Sequence, residues 1–178
     1  MLLGVDGPPP PAQHTVCFPA DYDAEFDALF GPSPRPVADP TVYVSVPPDP
    51  GAAPDGARPW FVLVNAPRTD QVAWTRRRTA VEADRVVAML ERLLGVDLTG
   101  RVRVRADRGP AELERDTGAP GGAIYGSSSN GAAAAFLRPG NTGPVDGLLL
   151  VGGSAHPGGG LPLVMLSAAT VAGVVGPA

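Results

Sequence analysis

The sequence predicts a mixed chain of strands and helices, on the border between α+β and α/β. Three observations carry that expectation. Short runs of β-branched or alternating residues recur at 1–6, 41–46, 60–65 and 101–105. A longer stretch, 75–94, places apolar residues at helical spacing. The tail, 147–175, reads as a buried strand, a glycine-rich turn and an apolar helix.

Residues 1–6 suit a short strand, and the prolines at 8–11 a stiff extended segment, because each fixes φ and lacks an N–H. Asp21 is a good N-cap for a short helix ending at Phe30, with Tyr22, Phe26, Leu29 and Phe30 on one face. Gly31 and Pro32 stop it. TVYVSV at 41–46 and the more apolar WFVLVN at 60–65 predict an antiparallel pair, joined by the turn-rich loop 47–59. In the 75–94 helix Val86, Val87, Leu90, Leu93 and Leu94 form the apolar stripe, and Gly95 suits the position after its end. Arg76, Arg77 and Arg78 read as a solvated first turn. RVRVR at 101–105 alternates as a half-exposed strand does, and Pro110 opens a short helix over 111–115.

Composition excludes several classes. Among 178 residues there are 23 glycines and 22 prolines, yet 44% of the chain is hydrophobic, an ordinary load for a folded domain. All 14 basic residues are arginine and the net charge is −4, which argues against tracking a nucleic-acid backbone. Glycine has no three-residue period, so the chain is not collagenous. Cys17 is the single cysteine, so no intrachain disulfide forms, and with His14 and His156 as the only histidines a Cys/His zinc cluster is excluded. No metal site is expected. The first residues carry no basic stretch ahead of a long apolar run, so no signal peptide is expected and a cytoplasmic location fits.

Beyond Gly118 the only charged side chains are Arg138 and Asp146. Residues 148–175 are apolar enough to raise the alternative of a membrane span, but Gly152, Gly153, Pro157 and the triplet 158–160 break it. The favoured parse is a buried strand at 147–151, a turn at 152–161 and a buried helix at 162–175. A strand, a glycine-rich turn and a helix N-terminus together form an anion-binding arrangement, in which the backbone meets the ligand. The dinucleotide fingerprint G-x-G-x-x-G is absent, so this is not a self-contained Rossmann domain.

The stretch GLLLVGGSAHPGGGLPLVML at 147–166 closely resembles the C-terminal signature of carotenoid desaturases, the phytoene-desaturase-like, FAD-dependent oxidoreductases of the amine-oxidase-type flavoproteins. GGAIYGSSSN at 121–130, FLRP at 136–139, HTVCFPADYDAEFDALF at 14–30, DPTVYVSVP at 39–47 and WFVLVNAP at 60–67 also look like the family, in collinear order. The resemblance implies the C-terminal part of a two-domain flavoprotein. Residues 1–120 would belong to the substrate-binding domain and 121–178 to the segment that returns to the FAD-binding domain. The Rossmann half, which carries G-x-G-x-x-G and most contacts to adenine, ribose and pyrophosphate, is missing here. A truncated reading frame, a gene fragment and one part of a split enzyme are the alternatives, the last with the N-terminal half or a sister subunit as partner.

The same resemblance assigns FAD as cofactor and Gly152, Gly153, Ser154, His156, Pro157, Gly158, Gly159, Gly160, Leu161, Pro162 and Leu163 as cofactor-binding residues. Tyr125 is a candidate substrate contact, with core packing as its alternative. The implied reaction dehydrogenates a lipophilic polyene by hydride transfer to flavin, and same-family isomerases and oxygenases share the motifs. A peripheral position at a membrane follows from such a substrate. No catalytic side chain is assigned: His156 is read as an acid/base or as a structural residue of the loop, and Ser127, Ser128 and Ser129 as turn residues. Arg138 is expected to pair with a carboxylate or a carbonyl, or to mark the surface, and Cys17 to pack as a small hydrophobe. The competing reading is a non-catalytic remnant that binds an apolar ligand or partner.

Overall fold

The computed structural model describes residues 1–8, 10, 12–127 and 138–177. Pro9 and Pro11 of the proline run, Ser128 and Ser129, the end of the 121–130 motif and Phe136 and Leu137 lie outside the described residues. The chain divides into two compact units, Met1–Gly122 and Ala123–Ala178.

The first unit is a small mixed α/β domain built on an open five-stranded sheet. Its strands are β1 (Leu2–Asp6), β2 (His14–Cys17), β3 (Val42–Ser45), β4 (Ala57–Val64) and β5 (Val102–Ala106), in the order β2-β3-β4-β1-β5. Every pairing is antiparallel. Alternation decides the faces. Leu3 and Val5 of β1, Val42 and Val44 of β3, and Trp60 and Val62 of β4 point into one core with Val86, Met89 and Leu90. The opposite face is also apolar and exposed at Leu2, Phe61, Leu63 and Val104. β4 is thus apolar on both faces, which is why its sequence reads as a continuous hydrophobic run.

Three helices accompany the sheet: α1 (Tyr22–Phe30), α2 (Arg76–Leu94) and α3 (Pro110–Thr117). α2 is the expected amphipathic helix. The Thr75 hydroxyl accepts from Arg78 N–H at its start, and Gly95 closes it in the left-handed conformation. Of the expected stripe Val86 and Leu90 are buried, Val87 and Leu94 half-buried, and Leu93 exposed. The 41–46 and 60–65 strands form the expected antiparallel pair, with β4 beginning earlier, at Ala57.

α1 is capped by Asp21 as expected, but it is rolled about its axis. Tyr22, Phe26 and Phe30 face outward and continue an exposed aromatic row that begins at Phe18. The buried residues are Glu25, Ala28 and Leu29. The cause is polar. Glu25 Oε2 accepts from Thr41 N–H at 3.0 Å and from Thr41 Oγ1 at 2.6 Å, and its Oε1 accepts from Asn65 Nδ2 at 3.0 Å. A buried carboxylate must be hydrogen-bonded, and this anchorage sets the helix roll. Cys17 packs half-buried against the core as a small hydrophobe, and burial pushes its thiol pKa up.

Candidate functional site

The second unit contains α4 (Leu161–Val175), led in by the turn at 152–160. The strand expected at 147–151 does not form. Among the described residues its ladder contact is an isolated bridge, Thr142 to Leu149, joined by a hydrogen bond from Leu150 N–H to Asn141 O at 2.8 Å. A strand needs a neighbour along its length, and these few residues are all that the described unit places beside it.

α4 is also not buried as expected. Leu161 is 82% exposed and Met165 71%, and Ser167 is its one buried residue. The described residues of its own unit cover one narrow stripe of an otherwise apolar surface. At 15 residues α4 is short of the roughly 20 a bilayer requires, and no helix among the described residues is long and apolar enough to cross a membrane.

The turn is held from within by polar groups. Asn141 Nδ2 donates to Leu150 O at 2.9 Å, His156 O at 3.0 Å and Ser167 Oγ at 2.8 Å. Ser167 Oγ also accepts from Gly152 N–H at 3.2 Å. His156 N–H donates to Pro139 O at 2.8 Å, and the His156–Pro157 peptide is cis. His156 therefore serves the loop through its backbone, while the residue itself is exposed. Arg138 Nη1 spans two carbonyls, Tyr125 O at 2.9 Å and Gly153 O at 2.6 Å, which realises the carbonyl-pairing alternative for this residue.

Tyr125 and the turn meet directly. A methyl group on Gly159 would clash with Cδ1 and Cε1 along one edge of the Tyr125 ring. One on Gly126 would lie 2.9 Å from Ser154 Cβ. Tyr125 has φ 69°, a left-handed conformation that an aromatic residue rarely adopts. Its carbonyl is fixed by Arg138 and its ring by Gly159, so the strain is imposed by surrounding contacts. The residue is 60% exposed, so it is not a core-packing tyrosine.

The predicted cofactor residues thus gather in one place. Gly152, Gly153, Ser154, His156, Pro157, Gly158, Gly159 and Gly160 form the turn, and Leu161, Pro162 and Leu163 the first helical turn. Gly158 at φ 136° and Gly160 at φ 100° occupy conformations closed to side chains, and they shape the approach to α4. Gly160 caps α4 without a side-chain hydrogen bond, and Pro162 has no N–H, so the N–H groups of Leu161 and Leu163 are the donors at its start. Backbone donors, one arginine and an exposed aromatic ring fit a flat, electron-accepting ring that carries negative charge when reduced. Asn141 and Ser167 escaped the sequence reading. Ser167 left a signal, as a polar residue inside an apolar helix, whereas Asn141 left none.

The first unit carries two adjoining hollows open to solvent. One, lined by Pro36, Pro40, Trp74 and Met89 among others, holds about 40 Å³; the other, more open, lined by Ala38, Asp39, Arg85 and Arg92 among others, holds about 510 Å³. No cluster of metal-ligating side chains occurs among the described residues.

No established family profile matches the chain. Curated relatives do. The chain is 36% identical over 166 residues to the 1-hydroxycarotenoid 3,4-desaturase of Flavobacterium sp. (strain P99-3), covering 91% of this chain and 33% of the relative. It is 34% identical over 161 residues to the hydroxyneurosporene desaturase of Rubrivivax gelatinosus, covering 89% and 30%. It is 33% identical over 164 residues to the 4,4'-diaponeurosporene oxygenase of Staphylococcus haemolyticus (strain JCSC1435), covering 90% and 32%. By name these relatives are carotenoid desaturases and an oxygenase. The chain is carotenoid desaturase-like, and it spans about a third of the length of the relatives it matches.

Proposed function

We propose that this chain is the C-terminal part of an FAD-dependent oxidoreductase of the carotenoid desaturase type. The observation that carries the reading is similarity over nine-tenths of the chain to desaturases named for carotenoids. The clustering of the turn, Tyr125 and Arg138 supports it. In this reading Met1–Gly122 belongs to the substrate domain and Ala123–Ala178 to the FAD-binding domain. The N-terminal half, in the same chain or as a sister subunit, completes the cofactor site.

FAD, when bound, supplies hydride acceptance from a lipophilic polyene. The residues of this chain do the rest. The 152–160 turn lets backbone come close to the ring, and the N–H groups of Leu161 and Leu163 favour negative charge there. Tyr125 touches ring or substrate. The apolar outer face of the sheet, at Leu2, Phe61, Leu63 and Val104, suits a long hydrocarbon and excludes water. Such a substrate is drawn from lipid, so the protein works at the cytoplasmic face of a membrane. A second reading, an apolar-ligand or partner-binding module without catalysis, is favoured by the exposed aromatic row from Phe18 to Phe30.

The test is to purify this chain alone and with a polypeptide supplying the N-terminal two-thirds, and to record visible spectra. Flavin absorbance in the reconstituted pair, with dehydrogenation of an added carotenoid, is the expected result. A colourless pair overturns the flavin reading. A pair that binds a polyene but neither flavin nor electrons supports the binding module.

A further inference from the structure

We propose that Arg138 is an anion-binding residue of the glycine-rich turn, presenting an unneutralised guanidinium to an anionic group of the bound dinucleotide. The inference rests on the flavin reading above and adds a charged residue to it. It begins in the sequence. Beyond Gly118 only Arg138 and Asp146 are charged, so Asp146 is the only carboxylate side chain in Ala123–Ala178 that could neutralise Arg138. Asp146 is exposed, and the ion pairs of the described residues all lie in Met1–Gly122.

Arg138 is not loose. Nη1 is braced by Tyr125 O and Gly153 O, two neutral carbonyls that orient the group without cancelling its charge. Its Nε edge turns to the glycine turn: a methyl on Gly158 would lie 3.7 Å from Arg138 Nε and 3.8 Å from Cζ. The same methyl would lie 3.7 Å from Leu163 Cδ1, so Gly158 stands between the guanidinium and the first turn of α4. The cation and the positive end of the helix thus flank one small residue. A planar guanidinium with N–H groups to spare matches phosphoryl oxygens, and equally the delocalised charge of a two-electron-reduced flavin ring. These are two sources of one chemistry on one cofactor.

The full chain, labelled with nitrogen-15, distinguishes them by NMR. Inorganic pyrophosphate, oxidised riboflavin and riboflavin reduced anaerobically with dithionite are titrated separately. The signals followed are Arg138 Nε–H and the amides at 152–160. Saturable shifts with pyrophosphate assign the phosphoryl source, and shifts with reduced but not oxidised riboflavin assign the ring. Arg138→Gln keeps a donor for the carbonyls but removes the charge, and should weaken the response at least tenfold. Arg138→Lys should restore most of it. If Arg138→Gln disrupts the turn, salt decides: a wild-type affinity that falls steeply with added sodium chloride supports the proposal, and one indifferent to salt overturns it. Shifts at 152–160 with both forms of riboflavin, unchanged in Arg138→Gln, overturn the anion role and leave the flavin reading standing. No response to any of the three ligands overturns the anion role, while the flavin reading falls only if the reconstituted pair is colourless.

Discussion

The ring of Tyr125 occupies the space that a side chain on Gly159 would need. Gly159 is therefore small because of an internal neighbour as well as any ligand. Gly159→Ala should destabilise the turn by about 1–3 kcal/mol, the usual cost of forcing a methyl into a filled site. In a Tyr125→Ala background the same change should cost almost nothing. Hydrogen exchange at the His156 amide, which donates to Pro139 O, reads the local opening free energy. Equal costs in both backgrounds would disprove the contact.

The buried Asn141–Ser167 pair ties the turn to α4. Asn141→Ala leaves Leu150 O and His156 O without their side-chain donor, and should cost about 1–3 kcal/mol. Ser167→Ala should cost less, because it strands fewer partners. The double variant should be less destabilised than the sum of the singles, since both remove one network. Strict additivity, measured by exchange of the 152–160 amides, would show two independent sites.

Glu25 anchors α1 through Thr41 and Asn65. Glu25→Ala should destabilise the first unit by about 2–4 kcal/mol, because buried donors lose their acceptor. Glu25→Gln should fall between it and wild type, since its amide keeps one acceptor and faces the rest with N–H groups. Chemical unfolding followed by the fluorescence of Trp60, which lies in the core of the first unit, gives the values. A neutral Glu25→Ala would mean that the outward aromatic row has another cause.

Glu114 carries a pH signature. The hydrogen bond from Thr69 Oγ1, then the one from Gly121 N–H and the nearby Arg68 charge, hold its carboxyl below the ordinary value of 4.5. A lowered folded-state value favours the ionised form, so its contribution is present above pH 4.5 and is lost as pH falls through the folded value. Glu114→Gln should therefore be less stable than wild type at neutral pH, with the gap closing in acid. A gap that persists below the folded value would assign the effect to shape alone.

Local chemistry was readable where it acts locally. Thr75 and Gly95 bracket α2 where the sequence places them, and Asp21 caps α1. What depends on distant partners was not. β2 is four residues long, sits at the sheet edge beside β3, and directly follows a proline run, so its sequence carries little alternation of its own. The roll of α1 is decided by Thr41 and Asn65, far along the chain from Glu25. Residues 147–151 have strand composition, but the described residues place only an isolated bridge beside them. At the site, the turn itself is legible as glycines and the cation as a lone charge. The brace by Asn141 is not, because a single asparagine in a polar loop looks like any other.

β1 sits inside the sheet, between β4 and β5, although it precedes both in sequence. During synthesis it waits. β4 must emerge to pair with one side of it, and β5 follows about 100 residues after it to cover the other, a high-contact-order closure expected to be slow. Until then a nascent chain exposes one unpaired side of β1 to the crowded exit of the ribosome, where chaperone capture and strand misjoining compete with folding.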